Sequence, residues 1–324
     1  MAHRFPVMNR VLRYFTHKYR EWERIRETTD FVRGMKNYLQ DSNAGNGGDR
    51  LKHTLLLEVI ERIKEPEKWS YRETHAGAGI YPMNKHSQIL LQALAECRKK
   101  EGVGAAYWHA LTEWWSLGAP GYPGSVLLAA RFFRSKLGEM NRIDIRVTEV
   151  EFVALSRLSV MCGDYGVNLR PESFDKQMDW LCQGEFILFV VDPYYYDRDA
   201  KSALRGRFGK KHLFQLFESL SRKKGAILLI FTADPTDSSR KTYEELKHDI
   251  NNYSDIPLVR HYLLVDKQLE NEALFNYYWV SVVGFGNGVN IVNDLPNSDQ
   301  WNASLIQSGV FMDVYGTRIE EVIC

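Results

Sequence analysis

Apolar positions along this chain follow two alternating rhythms. Short, nearly continuous apolar runs at Phe186 to Val191 and Ala226 to Phe231 have the length and composition of strands buried on both faces. Trp69 to Glu73, Ile143 to Thr148, Leu258 to Val265 and Tyr277 to Val283 also read as strands, as does a short stretch near Ser159 to Cys162. Between them the spacing changes to threes and fours. Leu51, Leu55, Val59 and Ile63 predict a helix from about Leu51 to Lys64. Residues 87–117, a segment from Ser125 and Lys211 to Arg222 read as helical too. Residues 43–50 are dense in Gly and Asn and read as a loop, and Gly118 to Gly124 as a turn cluster. Strands alternating with helices predict an α/β fold, a mostly parallel sheet with helices on both faces. No apolar run is long enough to span a bilayer, and no secretory signal is expected.

Composition narrows this little. The 324 residues are 44% hydrophobic and 26% charged, with a net charge of +1, which is ordinary globular usage. The charge is unevenly placed. Residues 1–36 carry nine Lys/Arg against four acids, interleaved with Phe5, Tyr14, Phe15, Tyr19 and Trp22. The helical spacing of these aromatics predicts a helix. It either packs on the body or forms a nucleic-acid-binding arm, since cations attract phosphates and aromatics stack on bases; a transit peptide is a third reading. The expected organisation is this basic extension (1–36), a main domain (37–324) and a helical insertion within it (84–120). The four cysteines, Cys97, Cys162, Cys182 and Cys324, form no C-x-x-C pair, so reduced thiols are expected and no metal site.

Open α/β sheets bind ligands beyond the carboxyl ends of their strands. Four predicted strand ends carry polar or Gly-rich signals. Glu73-Thr-His75-Ala-Gly77-Ala-Gly79 permits a tight turn and close backbone approach, but lacks the third glycine of a dinucleotide fingerprint. Thr148-Glu149 offers a carboxylate able to accept both hydroxyls of a ribose, and Gly163-Asp164-Tyr165 an acceptor for an adenine amine. Either is equally readable as a solvated acid or a turn. Asp192-Pro193-Tyr194-Tyr195 ends a fully apolar strand. The adenine amine is a weak nucleophile, because its lone pair is delocalised into the ring. The Asp192 carboxylate and the Pro193 carbonyl can each accept one amine N–H and favour positive charge developing on nitrogen. Tyr195 can stack on the base.

Taken in order, Asn43-Ala-Gly-Asn, Asp49, Leu51-Lys-His-Thr54, Thr74-His-Ala-Gly-Ala-Gly, Tyr122-Pro-Gly-Ser125, Thr148-Glu149 and Asp192-Pro-x-Tyr195 resemble the bacterial 23S ribosomal RNA adenine-N6 methyltransferase family, the RlmJ type. The resemblance runs from about Tyr38 to Phe231. It implies a Rossmann-like class I methyltransferase using S-adenosylmethionine and releasing S-adenosylhomocysteine. His53, His75, Gly77, Gly79, Ser125, Glu149, Asp164, Tyr165 and Asp192 would line the cofactor site. Asp192, Pro193 and Tyr195 would be catalytic, with Tyr38, Lys52 and Tyr194 on the substrate side. Tyr194 stands where the family has a second proline. The implied partner is ribosomal RNA, in the cytoplasm and away from membranes. DNA adenine methylation, or cofactor binding without turnover, is the alternative. Arg205, Arg207, Lys210 and Lys211 are further candidates for contacting the substrate backbone.

Overall fold

A computed structural model describes residues 41, 44–97, 101–119, 121–138, 143–193, 195–196, 207–234, 238–253, 258–267, 275–297, 299–301 and 318–323. The expectations for residues 1–36, Tyr38, Tyr194, Arg205 and Cys324 lie outside these residues.

The strands of the main sheet are β1 (Trp69–Glu73), β4 (Asp144–Thr148), β5 (Val167–Arg170), β6 (Phe186–Val191), β9 (Gly225–Asp234), β10 (Leu258–Lys267), β11 (Phe275–Gly286) and β12 (Arg318–Ile323). Two-residue strands β2 (Ile80–Tyr81), β3 (Tyr122–Pro123), β7 (Tyr195–Tyr196) and β8 (Arg207–Phe208) pair outside it. The sheet order is β12-β10-β11-β9-β6-β1-β4-β5. Strands β5, β4, β1, β6 and β9 run parallel. Strand β11 is antiparallel to β9, β10 to β11, and β12 to β10. The chain lays β4 and β5 on one side of β1, then returns to lay β6 and β9 on the other. That reversal makes the carboxyl ends of β1, β4 and β6 the switch point where a crevice opens.

The described helices are α1 (Gly47–Arg62), α2 (Lys85–Cys97), α3 (Ala105–Ser116), α4 (Ser125–Leu137), α5 (Phe152–Tyr165), α6 (Met178–Leu181), α7 (Lys210–Ser221), α8 (Ser238–Asn251) and α9 (Gly288–Asn293). The sheet is covered on both faces. Leu188, Val190, Ile227 and Leu229 point into a core shared with α1 and α4. The alternate residues Ile187, Phe189, Leu228 and Ile230 point into a second core shared with α7 and α8. This period of two in continuously apolar strands is the signature of a sheet buried on both sides.

Three local expectations are corrected. Ser159 to Cys162 is not a strand but part of α5, whose buried Val153, Ala154, Arg157, Leu158, Met161, Cys162 and Tyr165 recur at helical spacing. Gly47 to Arg50 are not loop but the first turn of α1, because the Asn46 side chain accepts the Asp49 N–H and caps the helix. Residues 87–117 are two helices, broken where Gly102 and Gly104 take positive φ. Helices α2 and α3 lie between β2 and β3, which pair with each other. The indole N–H groups of Trp114 and Trp115 both donate to the Gly121 carbonyl and fix that return. Cys97, Cys162 and Cys182 are buried. Among the described residues, no helix is long and apolar enough to cross a membrane.

Candidate active site

The neighbouring strands β4, β1 and β6 end in Thr148-Glu149, Glu73 and Val191-Asp192, so three carboxyl groups gather at one edge of the sheet. Helix α1 brings a cation to them. Lys52 Nζ lies 2.5 Å from Asp192 Oδ2 and 3.3 Å from Asp49 Oδ1, with the lysine and Asp192 side chains only 5% and 15% exposed. The ammonium also sits 5.1 Å from the centre of the Phe231 ring. Burial alone would drive Lys52 toward the neutral amine, but Asp192 and Asp49 hold it protonated, above its ordinary pKa. Burial raises the pKa of Asp192, against the pull of Lys52. Asp49 stays below its usual value: burial opposes its charge, but Lys52 and the Gly45 N–H outweigh that. The ammonium therefore keeps Asp192 an acceptor in a poorly solvated place.

Glu73 belongs to the same cluster; the sequence places it at a strand end but gives it no role in the site. It is fully buried, accepts from Ser125 Oγ at 2.5 Å and from the Tyr71 hydroxyl at 2.7 Å, and burial pushes its pKa up to about 7. Its signal was an acid ending a buried strand. Ser125, expected at the cofactor, spends its hydroxyl on Glu73 at the first turn of α4.

The loop after β1 is held from both flanks. Thr74 N donates to the Val190 carbonyl and Ala76 N to the Thr148 carbonyl, while Thr148 Oγ1 donates to the Thr74 carbonyl. Gly77, at φ +62°, donates its N–H to Glu149 Oε2 at 2.7 Å. A Cβ there would lie 2.1 Å from the Tyr81 hydroxyl, which itself accepts the Ala78 N–H. Gly79, at φ +73°, accepts the Gly124 N–H and ties the loop to the start of α4. Glu149 also accepts the N–H groups of Val150 and Glu151 at 2.8 Å. Burial raises its pKa, and these three backbone donors favour the charged form.

Two histidines flank this edge. His53 Nδ1 lies 2.8 Å from the Tyr122 hydroxyl, and its buried Nε2 has no partner among the described residues. Burial and Lys52 lower its pKa to about 3, so it is a neutral imidazole at pH 7. His75 Nδ1 is 2.6 Å from Thr74 Oγ1 and its ring meets Phe174 edge-on at 5.3 Å. Burial lowers its pKa likewise to about 3.

Asp164 and Tyr165 are a correction. They occupy the last turn of α5, before β5, whereas Glu149 follows β4. Because β4 and β5 are parallel, with Ile145 opposite Val167 and Thr148 opposite Arg170, the two residues sit at the opposite edge of the sheet. There the Asp164 carbonyl accepts from Arg134, whose guanidinium lies over the Tyr165 ring. The segment at the carboxyl end of β5 is Arg170 to Phe174, where Gln177 bonds both Arg170 and Glu172. That segment, next to His75 through Phe174, is the site region missed from sequence. Pro193 is buried directly after Asp192, and Tyr195 enters β7, its side chain outside the described atoms. Lys210 and Lys211 open α7. Among the described residues, no group of three or more His, Cys, Asp and Glu is arranged to hold a metal ion.

With this geometry in place, comparison with known proteins is informative. No protein-family model matches the chain. The ribosomal RNA large subunit methyltransferase J of Escherichia coli is 32% identical over 143 residues, covering 40% of this chain and 51% of the relative. The Haemophilus influenzae protein of the same name is 27% identical over 149 residues, with the same coverage. The chain thus spans about half the length of the curated relatives it matches. In structure, protein LPL1258 from Legionella pneumophila superposes with a TM-score of 0.60 at 16% identity, covering 87% of this chain and 98% of that one. The Rossmann-like class I architecture expected from the motifs is the fold observed. Over the aligned 40% of its length, this chain is similar to the ribosomal RNA large subunit methyltransferase J proteins, the likeness its motif blocks implied.

Proposed function

We propose that this protein transfers a methyl group from S-adenosylmethionine to the N6 amine of an adenine in ribosomal RNA. The observation that carries the reading is the carboxylate of Asp192 at the end of β6, little exposed and paired with Lys52 at 2.5 Å. The cofactor supplies an electrophilic methyl on a sulfonium. The residues present suit such a ligand on two counts. Gly77 and Gly79 both take positive φ, so the loop after β1 turns tightly beside Glu149. The buried Nε2 of His53 also lacks a partner among the described residues. His53, His75, Gly77, Gly79 and Glu149 would hold the cofactor, with Glu149 toward the ribose. Ser125 acts one step back, through Glu73.

The chain's own groups then act on the amine. Asp192 and the Pro193 carbonyl accept its two N–H bonds and orient the nitrogen lone pair toward the methyl. As charge builds on nitrogen, the Asp192 carboxylate stabilises it, which is where such a group lowers the barrier. Lys52 must share Asp192 with the amine. Its contact with Asp49 gives the ammonium a second anion to lean on as it does so. Tyr195, Tyr194 and Tyr38 are proposed to meet the base, and Lys210 and Lys211 with Arg205 and Arg207 the phosphates. The adenine must be unpaired or extruded for its amine to reach the methyl.

The test is transfer from labelled S-adenosylmethionine to total ribosomal RNA and, in parallel, genomic DNA, both from cells lacking the gene. Label in RNA alone is the expected result. Label in DNA alone moves the protein to the DNA enzymes. Cofactor binding with label in neither rejects turnover and leaves a binding protein.

A further inference from the structure

The segment that follows Asp192 is fastened at an unexpected place. Tyr195 and Tyr196 form β7, which pairs in parallel with Arg207 and Phe208 of β8. A two-residue parallel ladder is too short to hold itself. What reinforces it is a carboxylate from α8. Asp249 is fully buried, accepts the Tyr196 hydroxyl at 2.8 Å through Oδ2, and lies 3.2 Å from Lys210 Nζ through Oδ1. His248 Nδ1 approaches the same Oδ1 at 3.6 Å from the neighbouring position on α8. Tyr196 itself is buried, its ring tilted against Phe208. One carboxylate thus binds the strand that leaves Asp192 and the lysine that follows β8.

A buried carboxylate costs stability unless it is fully paired, so an apolar residue would cover this helix face more cheaply. What the charged group adds is direction: a phenol and an ammonium meet it in only one arrangement. Val191 is fixed in the sheet, and Tyr196 is fixed by Asp249. Asp192 and Pro193 lie between these two anchors. Their carboxylate and carbonyl must both meet the two N–H bonds of one amine. A misplacement of about 1 Å at such a group costs on the order of 100-fold in rate.

We propose that Tyr196 and Asp249 are positioning residues that set the Asp192–Pro193 segment for catalysis, acting as one unit; the proposal rests on the methyl-transfer reading above. Tyr196→Phe removes only the hydroxyl, and Asp249→Asn keeps an acceptor for it while dropping the charge. Each is expected to lower kcat by tenfold or more and to leave the KM and Kd for S-adenosylmethionine within about threefold, since the pair lies against Phe208 and Lys210. The double variant should be no slower than the slower single one. A kcat within twofold of wild type in both single variants, or losses that multiply, would overturn the proposal, even with a lowered Tm. A second measurement stands apart from turnover. Hydrogen exchange of the Tyr195 and Tyr196 amides should quicken by at least tenfold in Tyr196→Phe while the β6 amides keep their protection. Unchanged exchange would overturn the proposal. If wild type transfers no methyl group while the exchange result holds, the methyl-transfer reading fails and the anchoring stands.

Discussion

Replacing Lys52 with Met removes the cation at the centre of the site while keeping most of the side chain's apolar bulk. At an effective dielectric of about 20, Coulomb's law gives a gross attraction of about 6–7 kcal/mol for a pair at 2.5 Å and about 5 kcal/mol at 3.3 Å. Most of that offsets the desolvation of three nearly buried groups. The net loss expected on deleting one partner is about 3–5 kcal/mol. Part of it is relieved by proton uptake, because Asp192 and Asp49 lose the charge that opposes their burial. Asp192 in the folded protein already has a raised pKa, so its ionisation costs stability above the unfolded value, near pH 4, and that cost fades as pH falls. Without Lys52 the cost grows. The stability gap between variant and wild type should therefore be small near pH 4–5 and widest near pH 8. Lys52, whose own pKa is raised, stays charged throughout that window. Scanning calorimetry at several pH values reads the gap. Methyl transfer should fall by at least 100-fold at pH 7 and recover partly toward pH 9, as Asp192 regains its charge. A variant that keeps a third of the wild-type rate, with a stability loss independent of pH, would refute this electrostatic account.

Three further outcomes follow from single residues. Gly77→Ala places a methyl 2.1 Å from the Tyr81 hydroxyl at φ +62°, so calorimetric titration should show S-adenosylmethionine affinity reduced at least tenfold. Arg72→Leu removes a buried guanidinium that donates to the carbonyls of Tyr71, Asp144, Leu181 and Gln183 and to the Asp144 carboxylate. With carbonyls left unpaired, urea unfolding should show a loss of about 3–5 kcal/mol, while the folded protein binds cofactor normally. Glu149→Gln weakens the acceptor of three backbone N–H groups, and cofactor affinity should drop at least tenfold with Tm little changed. Normal affinity would remove Glu149 from the site.

The strands were legible because a sheet buried on both faces needs runs of apolar residues. Phe186–Val191 forms as predicted from that pattern alone, and Ala226–Phe231 lies within β9. Strand ends were legible for the same reason, since an acid after such a run marks the edge, as at Glu149 and Asp192. One error of period spread further. Taking Ser159 to Cys162 as a strand made Gly163-Asp164-Tyr165 its exit loop. The segment is helical, so these residues face the far edge. The resemblance put Lys52 on the substrate side, but nothing local shows its clasp on Asp192, because the two lie 140 residues apart. The buried charges Arg72, Glu73 and Asp249 were not legible either. Each also needs partners from distant segments, Asp144 and Leu181 for Arg72, Ser125 for Glu73 and Tyr196 for Asp249, which local pattern does not reveal.

The central claim is that Asp192 presents an adenine N6 amine to the methyl donor. The most direct measurement is mass spectrometry of nucleosides from unmodified ribosomal RNA after one turnover, with wild type and with Asp192→Asn. The account predicts N6-methyladenosine from wild type and less than about 1% of it from the variant, which should still bind S-adenosylmethionine. A methyl group on any other atom, or substantial N6-methyladenosine from Asp192→Asn, would contradict it.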